Sequence, residues 1–249
     1  VPLIHSPRFW PGDLDAWKRA EARNLWWTLR PELDRLVARA DAALIAFLRA
    51  SVTGYQGVSW GKDSGVCLHR AVELYRRTGL RLPVVWVRVQ GRENPDCPAV
   101  RDAWLARFGD ALDYHEIEVT AADTRAGRLT SQTGFDEAAA RFGDRYVSGV
   151  RADESSKRAV SAQVHGVATA RVCRPILGWS ARDVFAYHTR HDLPLHPAYA
   201  MTLGGRLDRN RDVRVASLGG HRGVAHGRRA WEWAYYRAEM RALGFTGPG

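Results

Sequence analysis

Cysteine is scarce in this chain: 249 residues include three, Cys67, Cys97 and Cys173. They are too few and too scattered for a disulfide scaffold, which points to a reducing compartment, the cytoplasm. No Cys-x-x-Cys pair occurs, so no structural zinc, no other metal site of protein ligands and no iron–sulfur cluster is expected. No apolar run approaches the roughly 18 residues that span a bilayer, and no signal peptide opens the chain, so no membrane contact is expected. Lysine is short as well: of 37 basic residues, only Lys18, Lys62 and Lys157 are not arginine.

What is present is an ordinary globular composition, 45% hydrophobic and 26% charged. Its length suits one sizeable domain with an extension, or two small domains. The net charge of +10 says little by itself, because a GC-rich genome supplies arginine without functional demand. Its position says more. Residues 200–249 hold nine basic and four acidic residues, half of the net charge. A local basic patch of this kind favours a partner that carries phosphates.

Residues 13–50 read as two helices, with Pro31 in a first turn and Leu33, Leu36, Val37, Ala40, Leu44, Phe47 and Leu48 at helical spacing. Trp10, Trp17, Trp26 and Trp27 make this extension rich in indoles, most simply as packing groups. From residue 54 onward, short apolar runs at 55–58, 84–89, 114–119, 145–149 and 170–173 alternate with helical segments. Those lie near 64–78, 96–108, 135–142, 155–165 and 180–190. The expected fold is therefore α/β, a parallel five-stranded sheet with helices on both faces and an N-terminal helical extension. Ligands of such sheets bind at the carboxyl ends of the strands, so loops 59–64, 90–97 and 150–155 should face one crevice. Residues 203–229, with six glycines and seven arginines, read as a long basic loop. A single amphipathic helix is expected over 226–243. These features divide the chain into an extension (1–50), a main domain (51–200) and a loop with a helix packed on that domain (201–249).

The strongest site signal is Ser59-Trp60-Gly61-Lys62-Asp63-Ser64, which follows a strand and opens a helix. Backbone N–H groups at such a turn, backed by the helix dipole, form an anion cradle. Ser59 and Ser64 add hydroxyls and Lys62 a point charge. It is not a Walker A loop, because Asp63 follows the lysine where Ser or Thr would hold magnesium. Gly149-Val150-Arg151-Ala152-Asp153-Glu154-Ser155, with Lys157 and Arg158, forms a second charged turn. Asp153 and Glu154 are also what a helix N-terminus favours. Cys97 stands near a helix start that would lower its pKa. His188 and His191 lack an evident third ligand and read as structural.

Ser59–Ser64 resembles the pyrophosphate loop of the adenine nucleotide alpha-hydrolase-like superfamily, the N-type ATP pyrophosphatases. Three further stretches place the resemblance in its phosphoadenosine-phosphosulfate reductase-like branch. They are Val84–Val89 with the acidic loop Glu93-Asn94-Pro95-Asp96, the Gly149–Ser155 element, and Pro175-Ile176-Leu177-Gly178-Trp179-Ser180 with Asp183-Val184 and the tail Leu193–Tyr199. Together they span residues 55–199. That branch also includes the small subunit of bacterial ATP sulfurylase and the ATP pyrophosphatases of sulfur-modification systems.

The resemblance implies an enzyme that uses ATP and Mg2+ to adenylate an acceptor oxygen, with pyrophosphate as the leaving group. Ser59, Trp60, Gly61, Lys62, Asp63 and Ser64 would hold the phosphates, with Lys62, Asp63 and Arg151 at the catalytic centre. Arg151, Asp153, Glu154, Ser155, Lys157 and Arg158 would line the substrate site. Trp60 stands where many relatives have glycine, which allows a differently shaped loop or a base-stacking indole. The catalytic cysteine of sulfonucleotide reductases has no counterpart near Gly244–Gly249, so that reduction is not expected. The favoured function is activation of a nucleic acid for sulfur incorporation, similar to DNA phosphorothioation. It would use residues 203–229 as the polymer contact, a cysteine desulfurase as sulfur donor and Cys97 as a candidate sulfur carrier. The alternatives are activation of a small molecule (sulfate, or an oxo group that becomes a thioamide) and a non-catalytic nucleotide-sensing subunit.

Overall fold

Strand β1 (Tyr55–Gly57) is central and short, and its place in the sheet decides where a ligand can bind. β2 (Pro83–Val89), β3 (Asp113–Val119), β4 (Tyr146–Val147) and β5 (Val172–Cys173) complete a five-stranded sheet in the order β3-β2-β1-β4-β5. Every pairing is parallel. The computed structural model describes residues 2–51, 53–120, 131–215, 217–219 and 226–247. The chain winds outward from β1 through β2 to β3, then returns to lay β4 on the other side of β1. Strand order reverses between β1 and β4, the crevice where parallel sheets take their ligands.

Both sheet faces are covered, as the continuous apolar run of β2 requires. Val84 and Trp86 face the main core, with Val66 and Leu68 of α3 (Lys62–Thr78), Trp104 of α4 (Cys97–Phe108) and Phe185 of α7 (Ala181–Arg190). Val85 faces the other way and packs with Tyr55, Ile117 and Ala138 of α5 (Ser131–Phe142). α6 (Ser156–His165) follows the second charged turn.

The N-terminal helices α1 (Asp13–Thr28) and α2 (Pro31–Ala50) join the main core rather than stand apart from it. Trp17 meets Phe185 edge-on at 6.1 Å. Asp41 of α2 accepts two 2.8 Å hydrogen bonds from the Arg70 guanidinium of α3. The indoles divide: Trp17 is buried, whereas Trp10 and Trp26 are 47% and 59% exposed. Among the described residues no helix is long and apolar enough to cross a membrane.

The helix expected over 226–243 is instead two, α8 (His226–Tyr235) and α9 (Arg237–Ala242). The break falls at Tyr236, whose backbone leaves the helical region at φ −128° and ψ 40°. Its buried phenol donates a 3.0 Å hydrogen bond to Asp96, an anchor that sequence periodicity does not reveal.

α5 lies so close to the sheet that a Cβ on Gly134 would stand 2.4 Å from Val87 Cγ1 and 2.9 Å from Val119 Cγ2. Gly134→Ala should therefore destabilise the fold by about 1–3 kcal/mol, the usual range for overpacking. A melting temperature equal to the parent's would contradict this contact.

Burial holds three imidazoles neutral, lowering His69 and His196 to about 3 and His188 to about 4. Unfolded histidine titrates near 6.5, so below that pH the unfolded chain binds more protons than the folded one. This contribution is complete above pH 6.5 and is lost as pH falls toward 4. The free energy of unfolding from urea titrations should fall between pH 6.5 and 5, with a slope approaching about 1.4 kcal/mol per pH unit for each such histidine. A flat profile over that window would contradict their burial.

Candidate active site

The loops that leave β1 and β4 meet at the reversal of strand order. After β1 the chain turns through residues 58–61 into α3, whose first residues, Lys62, Asp63 and Ser64, line the crevice. Two serines close the turn on itself. Ser64 Oγ lies 3.2 Å from Ser59 Oγ, accepts from the Ser59 amide at 3.3 Å, and donates to the Gly61 carbonyl at 3.0 Å. The Lys62 amide donates to the Tyr199 phenol oxygen at 3.0 Å. From below, His188 Nε2 lies 2.7 Å from the Lys62 carbonyl.

Trp60 contributes backbone only. Its φ of +57° is a left-handed conformation that glycine adopts freely and other residues adopt at a cost of about 1–2 kcal/mol. Burial against Trp86 (5.8 Å between ring centroids) and Tyr114 (5.6 Å) offsets that cost. The indole therefore points into the core, which corrects the expectation of a base-stacking side chain at this position.

Lys62, Asp63 and Arg151 come together as one charged cluster. Asp63 Oδ2 is 2.6 Å from Lys62 Nζ, and Asp63 Oδ1 is 2.6 Å from Arg151 Nε. Lys62 is 5% and Arg151 3% exposed, so little water screens the contacts. Burial alone pushes the Asp63 carboxyl up, but the Lys62 ammonium and Arg151 guanidinium outweigh it and hold its pKa below the ordinary value. It is a carboxylate at neutral pH and a poor general base. The two loops touch at Gly149, where a Cβ would stand 2.9 Å from the Asp63 carbonyl carbon and the Ser64 nitrogen. Only glycine admits that approach.

The rest of the second turn divides. Asp153 and Glu154 line the crevice, but both are engaged: Asp153 by Arg151 and the Ala181 amide (3.1 Å), Glu154 by Arg158 and the Arg151 amide (3.0 Å). Arg158 lines the crevice too. Ser155 caps α6, accepting from the Arg158 amide at 3.3 Å. Lys157 is exposed and outside the crevice wall, which corrects its expected place in the substrate site.

The acidic loop after β2 is also elsewhere. Asp96 accepts from Ser6 Oγ at 3.1 Å, from Arg8 at 3.1 Å and from Tyr236, so terminal segments seal residues 93–96 away from the crevice. Cys97 is sealed with it. The thiol is 3% exposed, 3.7 Å from His196 Nε2, and absent from the crevice wall. Burial, with Asp96 and Glu93 adding to it, pushes its pKa up; the helix start does not prevail. A sulfur-carrier role for Cys97 is thus at odds with its surroundings.

The crevice is a cavity of about 960 Å³. Besides the two loops, its wall includes Tyr55, Phe135, Tyr146 and Val172, a surface suited to an aromatic ring. Asn210, Arg211 and Arg214 bring the described part of the basic loop onto the rim, while residues 216 and 220–225 of that loop lie outside the described residues. Sequence reasoning missed Phe135 and Tyr146 as site residues, and gave Arg211 and Arg214 only within the basic segment 203–229. Tyr199 and His188 carried a signal, one in the Pro-x-Tyr tail and one as an apolar-face histidine, but nothing in the sequence ties either to the Lys62 backbone.

Comparison with known proteins agrees with this geometry. The model of the phosphoadenosine phosphosulfate reductase domain matches residues 55–222. A phosphoadenosine 5'-phosphosulfate reductase from Synechococcus sp. is 27% identical over 195 residues, which cover 69% of this chain and 82% of that protein. One from Alkalilimnicola ehrlichii is 32% identical over 130 residues, covering 51% and 46%. Among solved structures, a phosphoadenylyl-sulfate reductase from Candida auris aligns at 14% identity with a TM-score of 0.46, over 67% of this chain and 89% of that one. A U34-tRNA thiolase from Methanococcus maripaludis aligns at 11% identity with a TM-score of 0.48, over 86% and 80%. The chain belongs to the phosphoadenosine phosphosulfate reductase domain family, within the adenine nucleotide alpha-hydrolase-like superfamily.

Proposed function

We propose that the chain is an ATP pyrophosphatase that adenylates an acceptor oxygen and so activates it for replacement by sulfur. The observation that carries this reading is the buried Lys62–Asp63–Arg151 cluster beside the helix-opening turn. Two cations share one carboxylate at the place where a parallel sheet binds phosphates. The acceptor oxygen attacks the α-phosphorus of ATP, and the bond from that phosphorus to the oxygen bridging to the β-phosphate breaks. Lys62 and Arg151 offset the charge that builds on the phosphates, and the amides of the turn receive the leaving pyrophosphate. Asp63 positions both cations.

Magnesium fits as a companion of the triphosphate. Among the described residues no three His, Cys, Asp or Glu side chains gather into a metal site. Mg2+ commonly binds through substrate phosphates and one or two carboxylates, and it supplies charge neutralisation there. Of the carboxylates that line the cavity (Asp63, Asp136, Asp144, Asp153 and Glu154), Asp63 would meet it beside Lys62 and Arg151.

Two features favour adenylation over reduction of a sulfonucleotide. All three cysteines are buried, and none lines the cavity. Burial raises each thiol, Cys173 to about 11. Arg211 and Arg214 on the rim favour a phosphate-bearing polymer as acceptor, with a cysteine desulfurase as the matching sulfur donor.

ATP incubated with the chain and a nucleic acid should yield pyrophosphate and an adenylated nucleic acid, with AMP released only when a sulfur donor displaces it, whereas sulfate or a free purine as acceptor should give no pyrophosphate. Lys62→Ala or Arg151→Ala should lower the rate by about 100-fold or more, as removal of a preorganised charge does. ADP and phosphate as products, or sulfite formed from phosphoadenylyl sulfate and a thiol reductant, would contradict the assignment. A thiol-reactive dye should label Cys67, Cys97 and Cys173 only after unfolding; rapid labelling of native protein would restore a thiol to the mechanism.

A further inference from the structure

A second groove, of about 810 Å³, opens beside the cavity and shares Asp153, Ala181 and Asn210 with it. Its walls are α1, the start of α7 and residues 209–210 of the basic loop, with Arg23, Trp26, Trp27, Arg182 and Arg209 among the lining residues. α1 lies outside residues 55–222, so this wall is not part of the matched family domain.

The chemistry of the lining is uniform. Arg23, Arg182 and Arg209 form no ion pair with a carboxylate among the described residues, unlike the arginines of the core. Arg209 lies over the Phe185 ring at 4.1 Å, and its Nη1 is buried without a hydrogen-bond partner. Burial, with the Arg23 charge adding to it and the Asp208 and Glu21 carboxylates opposing, holds Arg209 down at about 10, so it stays protonated at neutral pH. Arg182 lies over the Trp27 ring at 4.4 Å. Trp26 is 59% exposed at the rim. The carboxylate in the groove, Asp153, is already engaged by Arg151 and the Ala181 amide. Three guanidinium groups outside any ion pair, next to an exposed indole, match a chain of phosphates with unpaired bases. The Trp26 ring meets Arg30 at 4.8 Å and Trp27 edge-on at 5.5 Å yet stays largely exposed, and a duplex, which hides its base faces, would offer nothing to stack on it.

We propose that this groove binds the acceptor, and that the acceptor is a single-stranded nucleic acid with phosphates on Arg23, Arg182 and Arg209 and a base on Trp26. Its role as acceptor site rests on the adenylation reading; the binding itself does not. The shared wall at Asp153 and Asn210 leads from the groove to the Lys62–Arg151 cluster, so a strand lying in it reaches the α-phosphate of ATP.

Fluorescence anisotropy with a labelled single-stranded oligo-dT, measured without ATP, tests the binding. The double variant R23A/R182A should weaken it at least tenfold and reduce the slope of log K against log salt by about 1.4, roughly 0.7 for each phosphate no longer neutralised. Trp26→Ala should weaken binding by about 5- to 150-fold and leave the salt slope unchanged. Arg49→Ala, on the exposed part of α2, serves as a control, and melting curves confirm that each variant is folded. Unchanged binding in R23A/R182A and Trp26→Ala would overturn the proposal, as would a duplex that binds as tightly as the single strand. ATP binding is measured separately by calorimetry. If ATP binds and the oligonucleotide does not, the groove proposal fails and the adenylation reading stands; if the oligonucleotide binds and the chain has no affinity for ATP, the reverse holds.

Discussion

One carboxylate between two cations organises this molecule. Asp63 belongs to the first turn of α3 and Arg151 to the loop after β4, so their contact joins the two segments that diverge where strand order reverses. Lys62 completes the cluster from the same turn. Without Asp63, the buried Lys62 would be left without a carboxylate and Arg151 would keep only Asp153, and losing one partner of a buried pair typically costs about 3–5 kcal/mol. The same imbalance is useful chemistry. A polyphosphate entering the cavity supplies further negative charge to cations that are already desolvated and held in place.

The surroundings keep that cluster in position. Tyr199 meets the loop backbone from one side and His188 from beneath, and Gly149 allows the second loop to approach closely. The chain termini contribute at the opposite edge. Ser6, Arg8 and Tyr236 converge on Asp96, closing the acidic loop and Cys97 into the interior. The opening is thereby confined to the β1–β4 side, where Arg211, Arg214 and the α1 groove lie.

Much of this was legible in the sequence because it depends on local pattern. All five strands and the helices between them follow from alternating apolar runs, and Ser59–Ser64 followed by Arg151 marks the proposed anion site by residue type. What escaped depends on long-range contact. The inward turn of Trp60 requires Trp86 and Tyr114, which come from other strands. The burial of Cys97 involves Ser59, His196 and Val215, which no local signal connects to it. The break at Tyr236 comes from a bond to a residue 140 positions away. Lys157 shows the opposite error: lysine scarcity drew attention to a side chain that the fold leaves in solvent. The α1 groove was invisible because Trp26, Arg182 and Arg209 meet only after folding.

If Lys62 and Arg151 serve chemistry at the α-phosphate of ATP, the position of an isotope label reveals it. The protein is incubated with a single-stranded oligonucleotide and ATP labelled at either the α- or the γ-phosphate, then quenched in acid and resolved on a denaturing gel. The account predicts that α-label, and not γ-label, becomes attached to the oligonucleotide, and that Arg151→Ala abolishes the band. Label from the γ-phosphate, or an α-labelled band that survives in Arg151→Ala, would contradict it.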